Sequence, residues 1–453
     1  MFKVEELLIA TGGRGVAGEK ERLIKGVSID SRTLKAGEVF IAIKGENYDG
    51  HHYIGQAIKK GAGAVIFEAR NFRPGSESRV PFIAVGDSVR ALGDLARFNR
   101  QRFPVPVIAV TGSVGKTTTK EMIAWALSKR LKVLKNPGTK NNQIGLPLAL
   151  LGLNRTHECA VLEIGTNHFG EVGYLAGICQ PNIAVLTNIG SSHLEYFKSL
   201  EGVLREKYVL VTKLKAPKLA LFNLDDPFLR KKGRKRSLGM TVGFGIEKPG
   251  EFYASDIQRI PRGFKFTVNR KFRFTLKTLG VYNIYNALAA IACGRIFGLG
   301  YVDLVSRLAT FGFLQNRLQL VKSKNINFIN DAYNSNPLSL KQALRALSDY
   351  EAKGRKIFVM GDMLELGRDE ALFHRSIGEE AARVCDVLIT VGPLSKGAAR
   401  AAARVGLGEK NIFVCENNLA ARKILFKNVV PKPEDIVLIK GSRAMKLEEI
   451  LKQ

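Results

Sequence analysis

Residues 107–119 read V-I-A-V-T-G-S-V-G-K-T-T-T, and this stretch decides how the rest of the chain is interpreted. Its apolar start predicts a buried strand, its two glycines predict a tight loop, and the apolar residues within 122–127 recur at the spacing of one helix face. In such a loop the backbone N–H groups point inward, Lys116 brings positive charge to the outer phosphates, and the Thr117 hydroxyl can hold Mg²⁺ at the helix N-terminus. We therefore predict an ATP site.

The loop is shorter than the commonest phosphate-binding loop. Its spacing is G-x-x-G-K-T, because Val110 stands where the first glycine of G-x-x-x-x-G-K-T would lie. This shortening argues against an ordinary GTPase or motor protein. An incidental strand-to-helix turn is the alternative, but the apolar strand, the two glycines and the Lys-Thr-Thr run together favour nucleotide binding.

Composition describes an ordinary globular protein of several domains. The 453 residues are 45% hydrophobic and 25% charged, which suits about three domains that each bury a core. We expect no signal peptide and no membrane span, since no apolar run approaches the roughly twenty residues that a spanning helix needs. The five cysteines lie far apart without a CxxC or Cys/His cluster, so we expect reduced thiols in a cytoplasmic protein.

The formal net charge of +29 raises nucleic acid as a partner. The basic residues are nevertheless spread along the chain, and the densest cluster, 230–236, has no interleaved aromatic residues for base stacking. A solvated basic surface that attracts anionic substrates is the favoured interpretation, and no specific nucleic acid is expected. A basic, nucleic-acid-dependent P-loop ATPase stays as the alternative of a different class.

We predict an α/β protein with domains at 1–85, 86–313 and 314–453. The first is a small α/β module whose polar loops, 30–32 and 44–51, suit a phosphorylated ligand. The second has apolar strands separated by helices, which predicts a mostly parallel sheet covered on both faces, with an antiparallel edge from 252–276. The third has a Rossmann-like doubly wound pattern, but no G-x-G-x-x-G follows its first strand, so no dinucleotide is expected.

Two residues near the phosphate loop could hold a metal ion. Glu163 ends one predicted strand, and His193 follows the next strand in the chain. In open α/β sheets the site forms at the carboxyl edge, and oxygen ligands with one imidazole and Thr117 suit Mg²⁺ that bridges ATP phosphates. The alternative is a plain strand-end carboxylate and a surface histidine.

Several motifs that span all three predicted domains resemble the Mur ligases. They are the loop 111–119, E-I-G-T-N-H at 163–168, S-H-L-E-Y-F at 192–197 with Lys207 fourteen residues after His193, and Y-N-I-Y-N-A at 282–287. The C-terminal motifs resemble the MurF-type branch; they are D-A-Y-N-S-N-P at 331–337, G-D-M-L-E-L-G at 361–367 and K-G-S-R-A-M at 440–445. The D-N-P-R stretch of the diaminopimelate-adding branch is absent from the sequence.

The resemblance implies an ATP-dependent ligase of cytoplasmic peptidoglycan precursor synthesis. A carboxylate of UDP-N-acetylmuramoyl-tripeptide attacks the ATP γ-phosphate to give an acyl phosphate, and the amine of D-alanyl-D-alanine then displaces phosphate. We expect a monomer that uses Mg²⁺. A Mur-type or folylpolyglutamate-type ligase with another amine acceptor is the alternative within the same class.

The resemblance also implies roles for individual residues. Catalysis falls to Lys116, Lys207 and His193, and the metal ligands are Thr117, Glu163, His193 and Lys207, the last as a carbamate. ATP contacts are Thr111, Gly112, Ser113, Val114, Gly115, Lys116, Thr117, Thr118, Asn283, Asn286, Arg317 and Asp331. Substrate contacts are Ser31, Arg32, Lys44, Asp49, Gly50, His51, Asn141, Asn142, Asn334 and Asn336.

The chain departs from the family pattern at two places. Tyr282 stands where the family usually has histidine beside adenine, and Asn136-Pro137-Gly138 replaces the commoner T-x-G-N approach to the Asn-Asn pair. Because the implied ATP contacts come from both the second and the third domain, closure of the third domain over the nucleotide is an expected step.

Overall fold

Helices and strands alternate around three main sheets. The structure is a computed structural model that describes residues 2–17, 21–74, 79–233, 239–312 and 314–451. The three sheets take their strands from successive parts of the chain, which confirms the predicted α/β class. The exact boundaries at 85/86 and 313/314 stay predictions, and Phe313 lies outside the described residues.

The N-terminal sheet has five strands, and a two-stranded ribbon lies beside it. The elements are β1 (Phe2–Lys3), α1 (Val4–Thr11), β2 (Arg14–Ala17), β3 (Leu23–Ile24), β4 (Gly26–Ser28), β5 (Glu38–Ile41), α2 (Ile54–Lys59), β6 (Ala64–Glu68), β7 (Phe82–Val85) and α3 (Ser88–Arg102). Strands β4 to β7 are parallel, and β2 pairs antiparallel with β7 at one edge. Helix α3 packs into the core of this sheet through Ala91, Leu92 and Leu95, and into the core of the next sheet through Ala96.

The central sheet has nine strands. The elements are β8 (Val107–Thr111), α4 (Lys116–Leu127), β9 (Val133–Lys135), α5 (Gly145–Leu150), β10 (Cys159–Glu163), α6 (Glu171–Cys179), β11 (Ile183–Leu186), α7 (Leu194–Phe197), α8 (Leu200–Thr212), β12 (Leu219–Asn223), α9 (Pro227–Gly233), β13 (Met240–Gly245), β14 (Phe252–Ile260), β15 (Gly263–Val268), β16 (Phe272–Leu276), α10 (Asn283–Ile296) and α11 (Tyr301–Ala309). Strands β8 to β14 are parallel, and β14 to β16 form the predicted antiparallel edge.

The C-terminal sheet has six strands. The elements are β17 (Gln319–Ser323), β18 (Ile326–Asn330), α12 (Pro337–Asp349), β19 (Lys356–Gly361), α13 (Glu370–Ala382), β20 (Val387–Val391), α14 (Lys396–Arg404), β21 (Ile412–Cys415), α15 (Asn418–Lys423) and β22 (Ile436–Lys440). All neighbours are parallel except β17, which pairs antiparallel with β18. Helices cover both faces, as the doubly wound pattern predicts.

The central core places the phosphate loop at the carboxyl edge of its sheet. Every residue of β8 is buried, because β10 and β11 flank it and helices cover both faces. The registers set Glu163 beside Val110 and Leu186 beside Thr111, so three strands end at the same level. Residues that follow these strands therefore meet at one edge.

Candidate active site

The phosphate loop lies in close contact with the residues that follow β11 on one side and with helix α10 on the other. Gly115 has φ +86°, a conformation that L side chains rarely adopt, and a Cβ there would lie 2.8 Å from Asn286 Oδ1. A Cβ at Gly112 would overlap the Thr187 hydroxyl. The Val114 N–H donates to Asn188 Oδ1 at 2.9 Å. Both loop glycines are thus required by close approach, as their positions in the sequence predict.

Lys116 and Thr117 begin helix α4, and both already have polar partners. Lys116 Nζ donates to the carbonyl oxygens of Gly112 and Ser113 at 2.8 and 3.2 Å, and burial lowers the pKa of Lys116. The buried Thr117 hydroxyl accepts from Arg317 Nη2 at 2.8 Å. This hydrogen bond joins the phosphate loop to a residue exactly 200 positions further along the chain.

A cavity of about 550 Å³ opens at this edge and receives residues from all three sheet regions. The predicted site residues that line it are Ser113, Val114, Gly115, Lys116, Thr117, Thr118, Asn141, Asn142, Glu163, His193, Asn283, Asn286, Arg317, Asp331, Asn334 and Asn336. The predicted site residues outside its lining are Thr111, Gly112, Lys207, Ser31, Arg32, Lys44, Asp49, Gly50 and His51. The structure therefore brings most predicted ATP and metal residues together and leaves the N-terminal substrate residues apart from them.

Glu163 offers an unsatisfied oxygen to this cavity. One carboxylate oxygen, Oε1, accepts from Asn141 Nδ2 at 2.6 Å. The other, Oε2, is buried and has no hydrogen-bond partner among the described residues. A buried carboxylate oxygen without a partner is costly unless a cation or another donor meets it. The residue thus fits a role as a ligand for a hard cation.

A metal site at this edge would need more than the acidic and imidazole groups of the described residues. Within the described ranges, no group of three or more His, Cys, Asp or Glu side chains lies close enough to hold a metal ion. Thr117 and Glu163 supply oxygen atoms, and the cavity leaves room for phosphate oxygens of a nucleotide. Mg²⁺ is commonly held in this way, by one or two protein groups together with substrate phosphates.

His193 is in contact with the C-terminal region. It has φ +52°, precedes α7, and its Nδ1 lies 2.5 Å from Glu365 Oε2. The hydrogen bond from His193 lowers the pKa of the Glu365 carboxyl group. Glu365 lies inside the G-D-M-L-E-L-G motif, and no local signal in the sequence pointed to this contact.

Lys207 is buried in helix α8, with 1% of its surface exposed. Burial lowers the pKa of Lys207 well below its ordinary value, the positive charge of Lys116 lowers it further, and Glu206 opposes them. The Glu206 carboxylate accepts from the backbone N–H groups of Gly170 and Val172 at 2.9 and 2.8 Å. A lower pKa increases the share of the neutral amine at Lys207, and the neutral amine is the form that reacts with carbon dioxide.

The N-terminus of α10 contacts the phosphate loop through a chain of amide hydrogen bonds. Asn286 accepts from the Thr119 hydroxyl at 2.9 Å and donates to Asn283 Oδ1 at 2.9 Å. Tyr282, at the position of the family histidine, lines both the main cavity and a second cavity of about 330 Å³ behind the loop. Burial raises the pKa of Tyr282 well above its ordinary value, so the phenol stays neutral.

The C-terminal region adds a buried ion pair to the cavity. Lys440 Nζ donates to Asp331 Oδ2 at 2.6 Å and to the Asn334 carbonyl oxygen at 2.9 Å. Asn336 also lines the cavity, but its side chain caps α12 by accepting from the Ser339 N–H at 2.8 Å. Lys440 was missed as a site residue, although it begins the quoted K-G-S-R-A-M motif.

Further lining residues had no individual role in the sequence analysis. They are Glu46, Gln143, Gly165, Thr166, Asn167, His168, Glu171, Leu175, Leu318, Tyr333, Ser335, Ser339 and Gln342. Tyr333 lies in the quoted D-A-Y-N motif and contacts the Arg317 guanidinium at 4.1 Å from the ring centre. Gln342 lies inside helix α12, where no local pattern distinguishes it from other helical polar residues.

The residues of the N-terminal region that were predicted to contact substrate lie outside the cavity lining. Arg32 is paired with Asp30 at 2.8 Å, which lowers the pKa of Asp30 to about 2, and the Ser31 hydroxyl donates to Gln56. His51 is buried, with Nδ1 2.6 Å from Asp49 Oδ1 and with Nε2 accepting from a backbone N–H. The backbones of Lys44 and Asp49 form an isolated antiparallel β-bridge, and Gly50 follows Asp49 in a tight turn.

Other sequence expectations have simple outcomes. All five cysteines are buried and free of disulfide bonds. In the described ranges, no helix is long and apolar enough to cross a membrane. The basic cluster 230–236 is only partly described: Arg230 donates to the Leu224 carbonyl oxygen, Lys232 lies 4.8 Å from the centre of the Tyr208 ring, and 234–236 lie outside the described residues.

Comparison with known protein families covers most of the chain. Residues 23–100 match the Mur ligase family catalytic domain, residues 110–294 match the Mur ligase middle domain, and residues 316–443 match the Mur ligase glutamate ligase domain. The second match begins at residue 110, beside the phosphate loop, and the third begins at residue 316, beside Arg317. The three parts of the cavity thus come from three matched domains.

Individual relatives agree with these matches. The chain is 36% identical to the UDP-N-acetylmuramoyl-tripeptide--D-alanyl-D-alanine ligase of Bacillus subtilis, covering 96% of this chain and 93% of the relative. It is 33% identical to the Escherichia coli protein of the same name, covering 94% and 92%.

Solved structures have the same fold. MurF from Acinetobacter baumannii superposes with a TM-score of 0.89 at 30% identity, covering 99% of this chain and 97% of that one. Thermotoga maritima MurF in complex with ADP gives 0.83 at 29% identity, covering 96% and 98%. The resemblance inferred from the motifs is confirmed, and the chain belongs to the Mur ligase family.

Proposed function

We propose that this chain is an ATP-dependent ligase that joins D-alanyl-D-alanine to UDP-N-acetylmuramoyl-tripeptide. The observation that carries the proposal is one cavity in which the phosphate loop, the unsatisfied Glu163 oxygen and the Asp331–Lys440 ion pair converge. Such a cavity suits a phosphoryl transfer between ATP and a carboxylate. The names of the Bacillus and Escherichia relatives support this choice of substrates.

The reaction has two steps that balance. A carboxylate oxygen of the tripeptide attacks the γ-phosphorus of ATP, the bond to the β–γ bridging oxygen breaks, and an acyl phosphate and ADP form. The amine of D-alanyl-D-alanine then attacks the acyl carbon, the C–O bond to phosphate breaks, and an amide, phosphate and a proton are released. Each step replaces one leaving group by one nucleophile.

Lys116 is the residue best placed to stabilise the transferring phosphoryl group. Its ammonium group now donates to two loop carbonyl oxygens, and it can exchange these neutral partners for phosphate oxygens. The loop N–H groups and the N-terminus of α4 add partial positive charge on the same side. Preorganised charge of this kind stabilises the transition state without reorganisation during the reaction.

Thr117, Glu163 and His193 would hold Mg²⁺ in this cavity. The bound ion supplies positive charge to the phosphate oxygens. Family position adds Lys207 as a carbamate, and burial beside the charge of Lys116 favours the amine that reacts with carbon dioxide. Intact mass before and after acidification tests this modification, and added short carboxylates should restore activity to a Lys207→Ala variant.

Substrate contacts divide between the domains. We infer that Asn141 and Asn142 face the peptide carboxylate, since both line the cavity and Asn141 already contacts Glu163. Arg32 and Lys44 lie outside the cavity lining and suit the UDP portion, because Arg32 is largely exposed and positively charged. Asn334 at the C-terminal wall suits the dipeptide. We further infer that the enzyme works as a monomer in the cytoplasm.

A substrate-omission assay tests the proposal. Phosphate release should require ATP, UDP-muramoyl-tripeptide and D-alanyl-D-alanine together, and mass spectrometry should detect the pentapeptide product. A Lys116→Ala variant serves as the inactive control. Release that persists without the dipeptide, or release stimulated by nucleic acid, contradicts the proposal. A panel of amine acceptors separates it from Mur-type ligases with another acceptor.

A further inference from the structure

Glu365 of the C-terminal domain contacts His193 of the central domain through side chains. The Glu365 Oε2 to His193 Nδ1 distance is 2.5 Å, and the two residues are 172 positions apart in the chain. The His193 side chain is 19% exposed and the Glu365 side chain is 43% exposed. The pair therefore joins His193, which lines the cavity, to the C-terminal sheet region.

The backbone at this contact is also specialised. His193 has φ +52° and Glu365 has φ +63°, so both non-glycine residues occupy the left-handed region. An exposed ion pair by itself stabilises a protein too little to offset this strain on both sides. Strain of this kind is concentrated at functional sites, where surrounding contacts hold the residue in place.

Close backbone packing holds the two segments together. The Glu195 N–H donates to the Glu365 carbonyl oxygen at 3.3 Å. Gly367 has φ +67°, and a Cβ there would lie 3.2 Å from Glu195 Cα, so a larger residue would push the segments apart. The turn 365–367 therefore packs directly against the start of helix α7.

The side-chain geometry assigns a tautomer to His193. A carboxylate has no proton to donate, so the hydrogen bond is made by Nδ1–H, and in the neutral imidazole the Nε2 lone pair is free for another partner. His193 lines the cavity that contains Thr117 and Glu163. Histidines that bind metals commonly donate their second N–H to a carboxylate in this way.

We propose that Glu365 is a positioning residue that prepares His193 to bind Mg²⁺ only when the C-terminal domain is seated on the central domain. The inference rests on the proposed function, because it takes His193 as a metal ligand. Domain closure and the completion of the metal site are then one event. Arg317 and Asp331 of the same C-terminal region line the cavity as well.

Binding of Mn²⁺, followed by electron paramagnetic resonance in the presence of a non-hydrolysable ATP analogue, tests this role without turnover. A Glu365→Ala variant should bind Mn²⁺ about 10- to 100-fold more weakly than the wild type. A Glu365→Gln variant keeps an oxygen that accepts from Nδ1–H, so it should recover most of that loss. Asp369→Ala, which removes an exposed carboxylate four residues along the same segment, should leave the affinity unchanged.

A double-mutant cycle identifies the route of the effect. In a His193→Ala background, Glu365→Ala should cause no further loss, because Glu365 acts through the imidazole. Unchanged Mn²⁺ affinity in Glu365→Ala overturns the inference, as does Gln behaving like Ala or full additivity with His193→Ala. Thermal unfolding of each variant checks that the fold is kept. If the wild type binds Mn²⁺ with the expected dependence on Glu365 but forms no amide product, the proposed function is contradicted and the role of Glu365 is not.

Discussion

Replacing Glu163 with glutamine separates what this residue does for metal binding from what it does for the fold. The change keeps size and shape, and the side-chain oxygen that remains can still accept from Asn141 Nδ2. It replaces the other oxygen, which is buried without a partner, by a neutral amide nitrogen. The perturbation is therefore confined to one charge at one position.

The structure sets the direction of two effects. Burying a charged oxygen without a hydrogen-bond partner destabilises the fold more than burying a neutral amide group does. The free-energy penalty is on the order of 1–3 kcal/mol for a neutral group and more for a charged one. Without metal, the Glu163→Gln variant should therefore be at least as stable as the wild type. With saturating Mg²⁺ and ATP, kcat should fall by about 10²- to 10³-fold, as when one preorganised electrostatic contact to a transition state is removed.

Thermal unfolding in EDTA and in Mg²⁺ with a non-hydrolysable ATP analogue measures the first effect. A ligand at about 100 times its Kd stabilises the wild type by roughly 2.7 kcal/mol, or about 5–10 °C for a unit of 150–250 residues. The variant should lose most of this metal-dependent increase. Equal increases in both proteins, together with an unchanged kcat, would refute the assignment of Glu163 to the metal.

Three further predictions concern other contacts. Lys120 is fully buried and donates to two carbonyl oxygens of the loop 136–138. Lys120→Met should therefore lower the free energy of unfolding, measured in urea, by about 2–5 kcal/mol and raise the KM for the UDP-linked peptide. An unchanged midpoint of urea unfolding would contradict this prediction. Although burial alone raises the pKa of Asp435, hydrogen bonds and the Arg355 charge lower it overall. The Asp435 carboxylate thus stabilises the fold above its unfolded pKa near 3.9, and this stabilisation is lost as pH falls through the lower folded pKa. The free energies of unfolding of the wild type and Asp435→Asn should differ by about 2–4 kcal/mol, and this difference should narrow below about pH 4. A difference that does not change with pH would argue against this role of Asp435. A lysine at position 317 cannot both stack on the Tyr333 ring and donate to the Thr117 hydroxyl, as Arg317 does. The KM for ATP of Arg317→Lys should therefore rise about tenfold. An unchanged KM for ATP would show that the contact between Arg317 and Thr117 does not contribute to nucleotide binding.

Local signals were sufficient for the elements around the phosphate loop. The apolar run of β8, the glycines and the periodic face of α4 were predicted because strand burial, tight turns and helix faces depend on neighbouring residues. The same reasoning found the antiparallel edge at 252–276. Seven of the described strands were not predicted, namely β1, β2, β3, β7, β9, β13 and β17. They are two to six residues long, and they take their strand form from their pairing partners more than from their own pattern.

The composition of the candidate site was only partly readable from the chain. Motifs identified Lys116, Glu163 and His193, because these lie near strand ends whose order is itself predictable. Glu365 and Lys440 also lay inside recognised motifs, but nothing local indicated that one would contact His193 and the other Asp331. The contact with His193 depends on how the central and C-terminal sheets come together, and the contact with Asp331 depends on the pairing of β18 with β22 inside the C-terminal sheet.

The sequence by itself thus determined the α/β class, the phosphate loop and the family, since all three depend on short-range periodicity and motif spacing. Tertiary structure alone decided that one oxygen of Glu163 is buried without a partner among the described residues, that Lys207 is buried near Lys116, and that Glu365 contacts His193. The physical reason is that burial, pKa and hydrogen-bond partners are properties of a side chain's surroundings, and distant parts of the chain supply those surroundings.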